Sequence, residues 1–554
     1  MEKIWLKSYP PTVPAEVDAR QLGSLKELLE KACATYADRT AYVQMDTGVT
    51  YRELDELTRA FAAWLQHVGF RKGDRFAIML PNMLQYPIAL FGALRAGLVI
   101  VNTNPLYTAP ELEHQLSDAG ATGILVIENF AHVVEKVLPR SAVKHVLVTA
   151  VGDFLDFPRS HIVNFVVRHV RRRVPAWNIP GAVSLKAAVA EGRRLPPAAV
   201  EVGPDDLAFL QYTGGTTGIA KGAMLSHGNV SINVLQSEAW NQTLTKAGGV
   251  LVTAIPLYHI FALTANCMLF VRLGWKNVLI INPRDLPATV ADMKKYPCNF
   301  LSGVNTLFNA LLHAPGFDQI DFSGLRVTLG GGMAVQATVA ERWKQATGCV
   351  LTQAWGLTET SPAACINPND EPFNGSIGLP IPSTEVAIKD DAGNDLPPGR
   401  TGEICVRGPQ VMRGYWNRPD ETAKVMLPGG WLRTGDLGRM DDRGFVYIED
   451  RKKDMILVSG FNVFPNEVEA AAVTCPGVLE AAAVSQPDEH SGEVVALFVV
   501  RKDPELTEQE IVDCCRQSLA PYKVPRHVYF RSELPKSNVG KILRKALREE
   551  LVRS

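Results

Sequence analysis

Tyr212-Thr213-Gly214-Gly215-Thr216-Thr217-Gly218-Ile219-Ala220-Lys221-Gly222 is the stretch from which the rest of the chain is read. It follows Leu207-Ala208-Phe209-Leu210, an apolar run of strand character. The glycines let backbone N–H groups turn toward an anion. Thr213, Thr216 and Thr217 add hydroxyls and Lys221 adds charge, so a strand feeding this loop has the chemistry of a triphosphate cradle. It is not the common P-loop, because Gly222 follows Lys221 where that motif needs Ser or Thr for magnesium. A plain Gly/Thr-rich turn would share the glycines but give the donors and the lysine nothing to do.

Outward from this loop, the N-terminal part alternates helix and strand patterns. Ser24 and Glu27 form a capping box ahead of Leu25, Leu28, Leu29, Ala32, Cys33 and Tyr36. Phe76–Leu80, Ile124–Ile127 and His145–Val148 read as buried strands, and Pro87–Leu94 as a helix. Such alternation predicts an α/β fold of stacked layers with largely parallel sheets. From about residue 370 to 449 Gly and Pro become frequent and short alternating strands appear, as in Glu403–Arg407, which predicts a small β-rich subdomain. The charge run Asp450-Arg451-Lys452-Lys453-Asp454 then marks a boundary. The expected division is 1–449 and 450–554, the second part a small α+β domain. It has strands near Leu479–Val484 and Val494–Val500, a helix opened by the capping box Thr507 and Glu510, and a last helix from about Lys541.

A chain of 554 residues exceeds what one core organises. Its 57 basic and 58 acidic side chains nearly cancel, so no global field directs it to nucleic acid, and anion binding has to be local. Nine cysteines without a CxxC pair, two of them adjacent at Cys514 and Cys515, predict reduced thiols. The opening residues Met1–Lys7 contain no apolar core of signal-peptide length. Tyr86–Val101, the most apolar stretch, carries Pro87 and Arg95 and is too short to cross a bilayer. A soluble or peripheral protein is expected.

Four further segments suit the ligand of the first. Gly330-Gly331-Gly332-Met333 follows the strand-like Leu325–Leu329 and permits close approach of a ring or phosphate, though a tight turn would look alike. Trp355-Gly356-Leu357-Thr358-Glu359-Thr360 brings an aromatic plane, a hydroxyl and a carboxylate together, as a nucleotide with Mg²⁺ requires; a capped helix start is the other reading. Thr434-Gly435-Asp436 sets a carboxylate in a turn, suited to ribose hydroxyls or simply to the turn itself. Pro535–Lys541 ends in a lysine after a Ser-Asn-Val-Gly turn, free to enter a cleft or to stay solvated at a helix start, where the dipole disfavours it.

In this order the five segments resemble the acyl-adenylate-forming superfamily, from about residue 25 to the C-terminus. Within it the chain is most similar to the bacterial long-chain fatty acyl-CoA synthetases of fatty-acid degradation. That similarity rests on Asn104–Thr108, Ile255–Phe261, Gly303–Leu312 and Asp450–Asn462.

The resemblance implies ATP-dependent activation of a long-chain fatty acid through an acyl-adenylate, then transfer to coenzyme A with release of AMP. It implies that Thr213, Gly214, Gly215, Thr216, Thr217, Gly218 and Lys221 grip the phosphates, and that Thr213 and Glu359 hold Mg²⁺. Gly331, Gly332, Trp355 and Gly356 would frame the adenine, Thr358 would meet the α-phosphate, Asp436 and Arg451 the ribose, and Lys541 would act in catalysis. Asp450 would be a hinge that swings the small domain, bringing Ser459, Gly460 and Phe461 over a channel for CoA. His259, Leu263, Val304, Leu307 and Phe308 would line an acyl tunnel, with Leu263 at a position that in some members is a gating tryptophan. The resemblance places the protein in the cytoplasm and leaves room for a homodimer and for peripheral contact with the inner face of the membrane. For that contact, the apolar and basic segment His161–Arg173 has the composition of an interfacial helix or of a plain surface helix. A medium-chain or aromatic acid:CoA ligase and a fatty-acid-binding or uptake protein are the alternatives.

Overall fold

The computed structural model describes residues 2–553 apart from 197, 214–219, 245–247, 452, 460, 489–490 and 538–539. Gly214, Gly215, Thr216, Thr217, Gly218 and Gly460, named above, therefore lie outside the described residues.

Two large sheets share one interior. The first runs, in spatial order, Val183–Ser184, His145–Thr149, Gly123–Ile127, Arg75–Met79, Val99–Asn102, Leu207–Tyr212 and Gly222–Ser226. All its pairs are parallel except the last, a hairpin that closes the loop between its two strands by pairing Tyr212 with Gly222. The second sheet has nine strands, whose centre, Lys276–Leu279, Val250–Thr253, Phe300–Gly303, Val327–Gly330 and Leu351–Gly356, is parallel. Alternate residues of these strands face different cores, as strand geometry requires. Leu251 and Phe300 join the interior between the sheets with Phe76, Ile78 and Phe209, while Val252 and Leu301 join an outer core with Phe308 and Trp343.

Between the sheets lie the helices Gln85–Arg95 and His227–Trp240. Every residue of Gln85–Arg95 is buried. Thus the apolar run around Tyr86 is an inter-sheet helix, and its Arg95 forms ion pairs with Glu30 at 3.0 Å and with Asp55. No described helix is long and apolar enough to cross a membrane.

The antiparallel sheet built from Glu385–Lys389, Gly402–Arg407, Trp431–Met440, Met426–Leu427 and Val446–Arg451 is the β-rich unit. Beyond it, Gly492–Arg501 pairs with Val478–Asp488, Ile456–Val458 and, in parallel, His527–Arg531, with helices Pro465–Ala472, Glu508–Arg516 and Arg544–Arg553 packed on this sheet. The Thr507 capping box forms as the pattern predicts. The last helix begins at Arg544 rather than near Lys541. Ser537 N–H donates to Lys541 O at 2.7 Å and Leu543 N–H to Pro535 O at 2.8 Å, so local non-helical bonds take backbone groups, Lys541 O among them, that a longer helix would use. All nine cysteines are free thiols.

Candidate active site

Adjacent parallel strands deliver functional residues at their carboxyl ends, where open α/β sheets form their clefts. Phe300–Gly303 leads to Val304, Val327–Gly330 to Gly331 and Gly332, and Leu351–Gly356 carries Trp355 near its end. After Val250–Thr253 the chain reaches His259, which caps the turn Ile260–Ala262 as its ring nitrogen accepts from Phe261 N–H. From the other sheet, Thr213 leaves Leu207–Tyr212 and its N–H donates to Lys221 O at 3.0 Å.

The glycines are there for lack of room. A β-carbon on Gly331 would lie 3.2 Å from the Phe261 ring, and one on Gly356 would meet Pro362 O at 1.8 Å. Gly332, at φ +78°, takes a left-handed conformation, and a β-carbon there would stand 3.5 Å from Lys541 Cε. Lys541 is thus inside the cleft. Gly540, also left-handed at φ +80°, lets the turn pass against Val304 and Thr306. Lys541 Nζ senses Arg451, Asp436 and Glu359; burial first and the Arg451 charge second pull its ammonium down to about 8. Burial, then the Lys541 charge, draws the His259 imidazolium down to about 3, leaving a neutral ring.

Asp436 is buried and fully engaged. It accepts from Trp355 Nε1–H at 3.0 Å and is ion-paired with Arg451, Nε to Oδ1 at 2.9 Å, and its strand pairs it directly with Arg451. Glu359 lies in the short turn Thr358–Thr360, and its Oε1 accepts from the Tyr415 hydroxyl at 2.7 Å. Lys221 is ion-paired with Glu421 and rests over the Tyr415 ring, 5.1 Å from its centre. Tyr415 and Glu421 carry no local pattern that marks them. The nearest cue is Gly414-Tyr415-Trp416, an aromatic pair after a glycine.

The Asp450 backbone lies in the strand Val446–Arg451 of the β-rich sheet, opposite Leu437, while its side chain reaches the chain that follows. Its carboxylate accepts from Asn466 N–H at 2.9 Å and stands 3.8 Å from the Arg544 guanidinium, which also pairs with Glu469 at 2.8 Å. Burial outweighs Arg544 and raises the Asp450 carboxyl to about 6. Ser459, at φ +50°, follows the strand Ile456–Val458, and the exposed Phe461 opens its partner strand Phe461–Val463, opposite Val458 and against Tyr522 at 5.1 Å.

The apolar candidates do not share one surface. Leu263 is buried in the interior between the sheets. Phe308 lies in the outer core, edge-on to Trp343 at 4.9 Å, with Leu307 packed against that core. Only His259 and Val304 stand beside the lysine turn.

The AMP-binding enzyme model matches residues 29–416, and the AMP-binding enzyme C-terminal domain matches residues 467–541. Proteins named long-chain-fatty-acid–CoA ligase from Escherichia coli O6:H1 and Yersinia pestis are 55% and 54% identical, covering 99% and 100% of this chain and 98% and 99% of theirs. An anthranilate CoA ligase solved in complex with anthranoyl-AMP shares the fold at TM-score 0.86 and 24% identity, over 97% of this chain and 99% of that one. With both family modules in order and relatives of over half identity along its whole length, the chain belongs to the AMP-binding enzyme family.

Proposed function

We propose that this protein is a long-chain fatty acid:CoA ligase that works through an acyl-adenylate. In the first step a fatty-acid carboxylate oxygen bonds to the α-phosphorus of ATP, and the electron pair of the breaking P–O bond leaves with pyrophosphate. In the second the CoA thiolate bonds to the carbonyl carbon, AMP leaves with its oxygen, and the thiol proton passes to solvent. Both steps concentrate charge on crowded oxygens, so fixed cations and N–H donors carry the catalysis.

The single observation behind this reading is Lys541 standing beside Gly332, in one cleft with Asp436, Arg451 and Glu359. In that position the ammonium would bridge the attacking carboxylate and the α-phosphate. Asp436 and Arg451 would take the ribose, and Gly331, Gly332, Trp355 and Gly356 the adenine. Thr358 would face the α-phosphate, and Lys221 with its loop the outer phosphates. A carboxylate and a hydroxyl, Glu359 and Thr213, are hard oxygen donors of the kind Mg²⁺ takes while phosphates and water fill its other positions. When bound, that ion would neutralise phosphate charge.

We further propose that 1–449 and 450–554 are separate bodies hinged at Asp450, and that Ser459–Phe461 turns inward for the CoA step. His259 and Val304 would border the acyl entrance, with Leu263 and Leu307 behind it, while Phe308 stays in the outer core. A membrane-borne substrate fits one surface feature. Phe157 is 82% exposed, Phe165 60% and Val170 65%, next to Arg171, Arg172 and Arg173. Neutralising these three arginines should lower binding to anionic vesicles severalfold, and unchanged binding would remove the membrane contact.

Pyrophosphate release across saturated acids of rising length, with and without CoA, tests the main reading. Each added pair of methylenes should improve kcat/KM by about fifteenfold while apolar wall remains. A flat response to length would defeat the long-chain assignment.

A further inference from the structure

Tyr415 touches both chemical ends of the phosphate site without being part of either sequence segment. The chain around it is locked onto the strand that leaves the phosphate loop. Met224 N–H donates to Gly414 O at 2.9 Å, Arg413 N–H to Met224 O at 3.1 Å, and Trp416 N–H to Gly222 O at 2.8 Å. Tyr415 N–H donates to Thr422 Oγ1 at 2.9 Å, and Met412 N–H to Glu359 O at 2.7 Å. The side chain is buried, so its place is set by the sheet and not by solvent. From there the hydroxyl reaches Glu359 Oε1 at 2.7 Å, while the ring face lies under Lys221 Nζ at 5.1 Å.

We propose that Tyr415 is a positioning residue for the magnesium–triphosphate site. Its hydroxyl holds one oxygen of Glu359 so that the other points to the metal, and its ring carries Lys221 toward the phosphates. The proposal rests on the reading of Glu359 and Lys221 given above. A hydroxyl donor on one carboxylate oxygen fixes the rotation of the group and occupies that oxygen, which otherwise could turn toward the nearby Lys541 charge. Glu421 supplies the counter-charge that holds Lys221 over the ring.

The test is binding of a non-hydrolysable ATP analogue by calorimetry while Mg²⁺ is titrated, with thermal melting to confirm folding. Tyr415→Phe keeps the ring and should raise the Mg²⁺ concentration for half-maximal analogue binding about 10- to 100-fold, with affinity restored at saturating Mg²⁺. Tyr415→Leu should lose a further two- to fivefold, roughly, even at saturating Mg²⁺. Glu359→Gln separates the two levels of inference. If it shifts the Mg²⁺ dependence and Tyr415→Phe does not, the positioning role is overturned while the metal role of Glu359 survives. If Glu359→Gln itself leaves the dependence unchanged, the metal reading falls first. Equal affinities for the Phe and Leu variants at saturating Mg²⁺ would overturn the role of the ring.

Discussion

The polar and apolar sides of the cleft are built on opposite plans. On the polar side nearly every group already has a protein partner: Asp436 holds Trp355 and Arg451, Glu359 holds Tyr415, and Lys221 holds Glu421. On the apolar side Leu263 and Phe308 belong to different cores separated by the nine-stranded sheet. The contrast follows from the forces available. Charged groups need directional partners to tolerate burial, so a site for a charged ligand is framed in advance. Apolar side chains satisfy one another by contact alone, so a channel for a greasy ligand has to be won from packing that is equally content without it.

The most severe way to test the contrast is Lys541→Ala. It should slow acyl-adenylate formation by about a hundred- to a thousandfold and spare thioester formation from supplied acyl-adenylate; equal loss in both half-reactions would refute the role given to this lysine. Asp436→Ala strips Trp355 and Arg451 of their acceptor and should weaken ATP binding about 10- to 100-fold, read by calorimetry. A pH profile asks less of the protein. With Lys541 drawn down to about 8, its ammonium is present below that pH and lost above it, so kcat/KM for ATP should fall about tenfold per unit beyond pH 8. A flat profile to pH 10 would mean that the ammonium is not required. The smallest effect on activity is expected from Phe308→Ala. It should cost about 3–5 kcal/mol of stability in chemical denaturation and leave the acid-length profile unchanged; a changed profile would move Phe308 from core to channel.

Much of the polar side is legible in the sequence because its chemistry leaves local marks. Gly356 stands where no β-carbon fits, Gly331 where one would be tight and Gly332 at a left-handed φ, and glycines beside strand ends announce such positions. Lys541 is picked out by its turn, but the run of helix formers after it suggests too early a helix; the start is delayed by bonds from Ser537 to Lys541 and from Leu543 to Pro535, a non-helical pairing that helix propensity does not register. Tyr415 is invisible by the same logic, since its partner Glu359 lies 56 residues away and nothing local ties them. Phe308 and Leu263 illustrate the converse limit: helical spacing marks an apolar face without saying whether protein or ligand will cover it.

Two consecutive residues, Asp450 and Arg451, turn their side chains to different owners. The first is gripped from the small domain by Asn466 and Arg544, the second by Asp436 in the large one. One peptide plane thus separates two side chains held by different parts of the chain. On the proposed hinge, rotation of the small domain would pull on the Arg451–Asp436 pair, so that letting go of the sugar and turning the lid would become a single mechanical act.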